Sequence, residues 1–150
     1  MLHIYVDADA CPVKNEVYKV AERYKLSVTL VANSFMRVPG HAWLKLEVVE
    51  QGLDGADDWI VEQVEKDDIV VTGDIPLAAR CLDKGARVLG HAGKPFTPEN
   101  VGDSLATRQL LKQLREQGIM MGGPPPFSPK DRSLFLQQLD QMVQAIRRVR

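Results

Sequence analysis

Leu2-His3-Ile4-Tyr5-Val6-Asp7-Ala8-Asp9-Ala10-Cys11-Pro12 opens the chain. A largely apolar run stops at an aspartate, a second aspartate follows two residues on, and a proline then suits a helix first turn. Leu2–Val6 is therefore a predicted strand. A helix follows to about Lys25, with Val13, Val17, Val20, Ala21 and Tyr24 on one face and Cys11 or Asp9 near its cap. The same order recurs at Ile69-Val70-Val71-Thr72-Gly73-Asp74-Ile75-Pro76. There a short, continuously apolar run reads as a buried parallel strand. A helix over Ile75–Lys84 comes next, with Gly85 as its C-terminal cap. Ser27–Ala32, Lys45–Val49 and Arg87–Leu89 are further strands, and Asp57-Asp58 begins a helix through about Val64. This β-α-β-β-α-β-α-β alternation predicts an α/β fold around a mostly parallel five-stranded sheet in the order 3-2-1-4-5. The winding direction reverses between the first and fourth strands, and open α/β sheets bind ligands beyond the carboxyl ends of strands at such a point.

The last third reads differently. A helix from about Asp103 to Gln117 ends at Gly118, and Gly122-Gly123-Pro124-Pro125-Pro126 is a stiff link. Ser128-Pro129-Lys130-Asp131 has the composition of a helix start, with a Ser cap, a Pro in the first turn and an acid at the third position. The final helix carries Phe135, Leu139, Met142, Ile146 and Val149 as an apolar stripe that must bury against something. Residues 103–150 thus read as a helical extension packed on the body of one domain spanning 1–150. A second copy of the chain, in a homodimer, is the other partner for that stripe.

The chain has 150 residues, 45% hydrophobic and 26% charged, an ordinary globular composition that argues against disorder. No apolar run approaches the roughly 18–20 residues of a membrane span. The N-terminus lacks a basic n-region, which makes the cytoplasm the expected location. Cys11 and Cys81 form no CxxC and read as reduced thiols. Net charge is −1, unevenly spread: residues 1–103 carry 11 basic and 17 acidic side chains, residues 104–150 carry 8 and 3. Such a division suits a chain that handles a polyanion near an acidic metal site, and equally two ordinary surfaces that attract each other.

Asp7 and Asp74 would sit at the carboxyl ends of adjacent strands. Asp9 would face the same side as Asp7 if the chain stays extended. Asp57, with Asp58 beside it, stands at a helix start. Each acid alone is explained by capping or by the helix dipole. Together they would repel unless neutralised, and Mg²⁺ or Mn²⁺ is the natural counter-charge. His3, His41 and His91 lie in separate segments without an HxxxH pair, and GxSxG, Walker A and GxGxxG motifs are absent. Arg108, Lys112 and Arg115 make one basic helix face. Arg132 falls in a helix first turn, where a cation opposes the dipole. Asn33, Ser34 and Arg37 follow the second strand at the same rim. Asn33, Arg37, Arg108 and Arg132 are the candidate phosphate-binding residues.

Asp7-Ala8-Asp9-Ala10-Cys11-Pro12, Thr72-Gly73-Asp74-Ile75-Pro76-Leu77-Ala78, the TRQLLKQLREQG segment at 107–118 and the PFSPKDRSLF segment at 126–135 together resemble the bacterial YaiI/YqxD family over nearly the whole chain. That family is grouped with the PIN-like superfamily, which includes many metal-dependent ribonucleases. The resemblance implies a PIN-like three-layer sandwich. It matches Asp7, Asp57 and Asp74 to the acids that serve catalysis there, with Asp9 as a further metal ligand, and implies Mg²⁺ or Mn²⁺ and RNA, less so DNA, as substrate. The chain departs from many PIN nucleases after Asp74, since Ile75-Pro76-Leu77-Ala78 brings no acid before Asp83. Glu16 matches a first-helix acid only loosely. A non-catalytic RNA-binding PIN-like protein is the alternative. A strand followed by Asp-x-Asp also resembles haloacid-dehalogenase-type phosphatases, where Asp7 would attack phosphorus, although Cys11 stands where that family has Thr or Val.

Overall fold

The computed structural model describes residues 2–50, 55–103, 112 and 127–149. The strands are β1 (His3–Asp7), β2 (Ser27–Ala32), β3 (Leu44–Val48), β4 (Ile69–Val71), β5 (Arg87–Leu89) and β6 (Pro95–Phe96). The helices are α1 (Lys14–Tyr24), α2 (Gly55–Gln63), α3 (Ile75–Asp83), α4, described over 98–103, and α5 (Pro129–Val149). The sheet order is β3-β2-β1-β4-β5-β6. The first five strands are parallel, in the expected order. β6 adds a sixth strand, antiparallel to β5, with Val88 opposite Phe96. Two residues beginning with a proline give no alternation to read, and proline belongs at such an edge.

Alternation along the strands assigns the two faces. Ile4, Val6, Val28, Leu30, Ile69 and Val71 share one core with α1 and with Phe135, Leu139, Val143 and Ile146 of α5. Val31, Val70 and Val88 face the other way, toward α2 and α3. Helices therefore cover both faces of the sheet, the three-layer arrangement that a parallel sheet requires.

Local chemistry fixes the helix ends. Asp74 Oδ1 accepts the Leu77 N–H at 2.9 Å and caps α3, with Pro76 in the first turn. Ser128 and Asp131 form a reciprocal capping box at the start of α5: Ser128 Oγ accepts the Asp131 N–H, and Asp131 Oδ2 accepts the Ser128 N–H. The start of α1 differs from expectation. Val13 is the N-cap, without a side-chain capping bond, and Pro12 precedes it. Asp9 cannot serve as that cap because its carboxylate is engaged across the sheet, at Asn33.

α5 runs alongside α1 in the same direction. Arg132 reaches Pro12 and Glu16 at one end, and Asp140 meets Tyr24 and Arg23 at the other. The apolar stripe is covered by the chain's own core. Val143 takes the fully buried place, Met142 packs half-buried beside it, and Val149 is 84% exposed. The reason is length: eleven residues of α1 span about 16 Å and twenty-one of α5 about 31 Å, so the last turns of α5 overrun their support. The helix expected over Asp103–Gln117 lies mostly outside the described residues, as does Arg108. Among the described residues no helix is long and apolar enough to cross a membrane.

Candidate functional site

Register places the acids. Val6 pairs with Val71, so Asp7 comes level with Thr72, one step beyond each strand's paired stretch. On the other side Asp7 pairs with Val31, and two residues further Asp9 comes level with Asn33. Hydrogen bonds follow this geometry. The buried Thr72 hydroxyl donates to Asp7 Oδ2 at 2.9 Å and accepts the Asp74 N–H at 3.0 Å. The Asn33 N–H donates to Asp9 Oδ2 at 2.9 Å. The chain then turns at Ala10, whose φ of 59° is left-handed and strained for a residue with a Cβ.

Burial pushes the Asp7 carboxyl above the usual carboxylate range. The bond from Thr72 opposes this, and the charges of Asp74 and Asp9 reinforce it. The rim thus gathers Asp7, Asp9 and Asp74. Asp57 stands half-buried in the first turn of α2, which packs on α3, and its charge bears on Cys81. Together with burial, the larger cause, it pushes that thiol up to about 12. Asp58 pairs with Arg80 at 2.8 Å and lines an acidic cleft of about 280 Å³ with Glu47, Glu50 and Glu62.

Among the described residues no three His, Cys, Asp or Glu side chains form a group that could hold a metal ion. Mg²⁺ is commonly held by one or two carboxylates with waters and substrate phosphates completing the shell. Asp7, whose proton affinity the charges of Asp74 and Asp9 raise, offers with them hard carboxylate oxygens of the type such a shell uses.

The candidate phosphate-binding residues are spread out. Asn33 is exposed and contributes its backbone N–H to Asp9; Arg37 is exposed on the segment between β2 and β3. Arg132 Nη1 donates to Glu16 Oε1 and to the Pro12 carbonyl, both at 2.8 Å, with its guanidinium over the Phe127 ring. It therefore holds the start of α1, directly after the Asp7–Pro12 turn. Glu16 is buried under it. Two residues near the rim had no sequence signal. Lys14 Nζ reaches the Ala8 carbonyl at 3.4 Å, placing an ammonium at the backbone between the two first-strand acids. His91 packs on Gly73, where an added Cβ would sit 3.4 Å from the ring. Among the described residues its Nε2 is buried without a hydrogen-bond partner, and burial lowers its pKa, which keeps it neutral. Only the fold brings residue 91 beside residue 73.

The raised Asp7 pKa has a stability consequence. The folded state holds this proton more tightly than the unfolded chain, so the stabilisation is complete below about pH 4 and is lost as pH rises through the folded value. At pH 7 the ionised carboxylate is a burden on the fold. Asp7→Asn is expected to raise stability at pH 7 by about 1 kcal/mol, the gain shrinking as pH falls toward 4. Urea unfolding at the two pH values measures this, and equal or lower stability of the variant at pH 7 would count against the rim as described.

A family model described as "Uncharacterized BCR, YaiI/YqxD family" matches residues 5–145. The chain is 59% identical over 148 residues to a UPF0178 protein of Parvibaculum lavamentivorans, covering 99% of this chain and 97% of that one. It is 55% identical over 150 residues to a UPF0178 protein of Rhodopseudomonas palustris, covering 100% and 95%. A UPF0178 protein of Rhodospirillum centenum is 53% identical over 154 residues, with both chains fully covered.

Proposed function

Because this chain belongs to the YaiI/YqxD family along nearly its whole length, we propose a single function for its acidic rim: divalent-cation-dependent cleavage of phosphodiester bonds in RNA. The observation that carries the reading is the convergence of Asp7, Asp9 and Asp74 at the reversal point of the sheet, with Asp7 pushed up by burial and by the other two. Asp7, Asp74 and Asp9 would hold Mg²⁺ or Mn²⁺. A bound ion of this kind supplies a nucleophilic water at neutral pH and offsets charge on phosphate oxygens. Thr72 fixes the orientation of Asp7, and the Asn33 N–H fixes Asp9. Lys14 and Arg37 contribute positive charge for the RNA backbone, with Arg132 holding the α1 start against the rim. The reading places the protein in the cytoplasm, where its buried, unpaired Cys11 and Cys81 stay reduced.

The test compares wild type with Asp74→Asn on a fluorescein-labelled single-stranded RNA, with and without Mn²⁺. Asparagine still caps α3, so the fold is kept. The expected result is Mn²⁺-dependent cleavage by wild type, reduced in the variant by more than the roughly 10–100-fold typical of a residue that only orients a ligand. Undiminished cleavage by Asp74→Asn would overturn the mechanism. The stretch after Asp74, which brings no acid before Asp83, favours a second reading, a non-catalytic RNA-binding protein. Salt-sensitive RNA binding without cleavage, unaffected by Asp74→Asn, would select it. An aspartyl-phosphate formed on Asp7 would select a phosphatase instead.

A further inference from the structure

The segment between β2 and β3 leaves the rim at Asn33 and returns at Trp43. It is pinned at both ends. The Asn33 N–H is bonded to Asp9, and the Trp43 ring stacks on His41 at 4.7 Å and meets Tyr18 of α1 edge-on at 6.3 Å. In between, burial alternates. Met36 and Val38 pack against the α1 side of the core, while Phe35 and Arg37 turn outward. Phe35 is 80% exposed. The pinned segment half-buries Met36 and Val38 and leaves the large aromatic before them in water, on the same outward side as Arg37. From Asn33 to Lys45 the chain has no acid and carries Arg37 and Lys45. Phe35 stands two residues from Asn33, its Cα within about 7.6 Å of the Asn33 Cα.

An exposed aromatic beside an arginine, on an acid-free segment at the edge of a phosphate-handling site, is the combination by which proteins hold unpaired nucleic acid. Bases within a duplex are stacked on each other and cannot use such a ring, whereas unstacked bases can. We propose that Phe35 is a stacking residue for an unpaired nucleobase next to the phosphate at the Asp7–Asp9–Asp74 rim, with Arg37 on the adjoining phosphate, so that the substrate class is single-stranded RNA. The proposal rests on the function read from that rim and goes beyond it in naming the strandedness and the residue that reads it.

The test measures binding of a fluorescein-labelled single-stranded oligouridylate and of an RNA duplex of equal length, by anisotropy without Mn²⁺, to wild type, Phe35→Ala and Phe35→Trp. Mn²⁺ binding and size-exclusion elution are measured on the same three proteins. Loss of one base stack is worth about 1–3 kcal/mol, so Phe35→Ala should weaken single-strand binding about 5- to 150-fold. Phe35→Trp should keep that binding, and Mn²⁺ binding and elution should be the same in all three. Single-strand binding by Phe35→Ala equal to wild type would overturn the proposal while leaving the reading of the rim intact. Tighter wild-type binding to duplex would also overturn it, as would a Phe35→Ala shift in elution, which would make the ring a self-association contact. No RNA binding by wild type would overturn this proposal, and if wild type also binds no Mn²⁺ the reading of the rim falls with it.

Discussion

Replacing Phe135 by alanine is expected to lower stability by about 3–5 kcal/mol, a large share of the roughly 5–15 kcal/mol that holds a domain of this size together. Phe135 is fully buried among the β1, β2 and β4 side chains that face α1, and it is the first stripe residue of α5 to enter that core. Removing the ring takes away its transfer energy and leaves a cavity that neighbouring strands, held in register on both sides, cannot collapse to fill. The expected readout is a urea midpoint shifted down with an unchanged m-value. A loss below about 1 kcal/mol would mean that α5 does not complete this core.

Gly93→Ala should have an effect of the same order by a different route. Gly93 sits at φ +87°, closing the turn between β5 and β6, where its N–H reaches the Gly90 carbonyl. A Cβ there would lie 2.8 Å from the Leu134 carbonyl carbon and 2.9 Å from the Phe135 nitrogen. Those are backbone atoms of a capped helix and cannot swing aside. The left-handed conformation costs about 1–2 kcal/mol for any residue with a side chain, and displacing α5 adds about 1–3 kcal/mol. A total near 3 kcal/mol or above is expected from the same urea series. Full wild-type stability in Gly93→Ala would show that the turn does not touch α5.

Much of this fold was legible because its signals are local. The order of the first five strands follows from alternating strand and helix patterns and right-handed crossovers. The Ser128–Asp131 box and the Asp74 cap are readable from residue type and spacing. What was not legible depends on partners distant in sequence. β6 exists only because β5 offers an edge to two residues. Val149 is exposed because α1 ends first, a matter of two helix lengths that a stripe of apolar residues does not encode.

The site divides in the same way. Asp7, Asp9 and Asp74 were visible as acids closing strands, and register does bring them to one rim. Asp57 stands at a helix start as its sequence context indicates, where a first-turn acid is favoured by the dipole, and its charge bears on Cys81. Arg132 opposes the dipole at the start of α5, and the structure gives the compensation: a buried Glu16 and a carbonyl from the rim turn. Lys14, His91 and Phe35 carry no pattern in sequence, since their significance is what they sit beside.

Calorimetric titration of Mn²⁺ into wild type and the Asp7→Asn/Asp74→Asn double variant tests most directly the proposal that Asp7 and Asp74 together hold a divalent cation. Both substitutions keep the acceptor oxygens used by Thr72 and by the Leu77 N–H, so the variant should remain folded, which circular dichroism checks. Saturable binding by wild type that disappears in the folded variant is the predicted result. A wild type that binds no Mn²⁺, or a double variant that binds it equally well, would contradict the account.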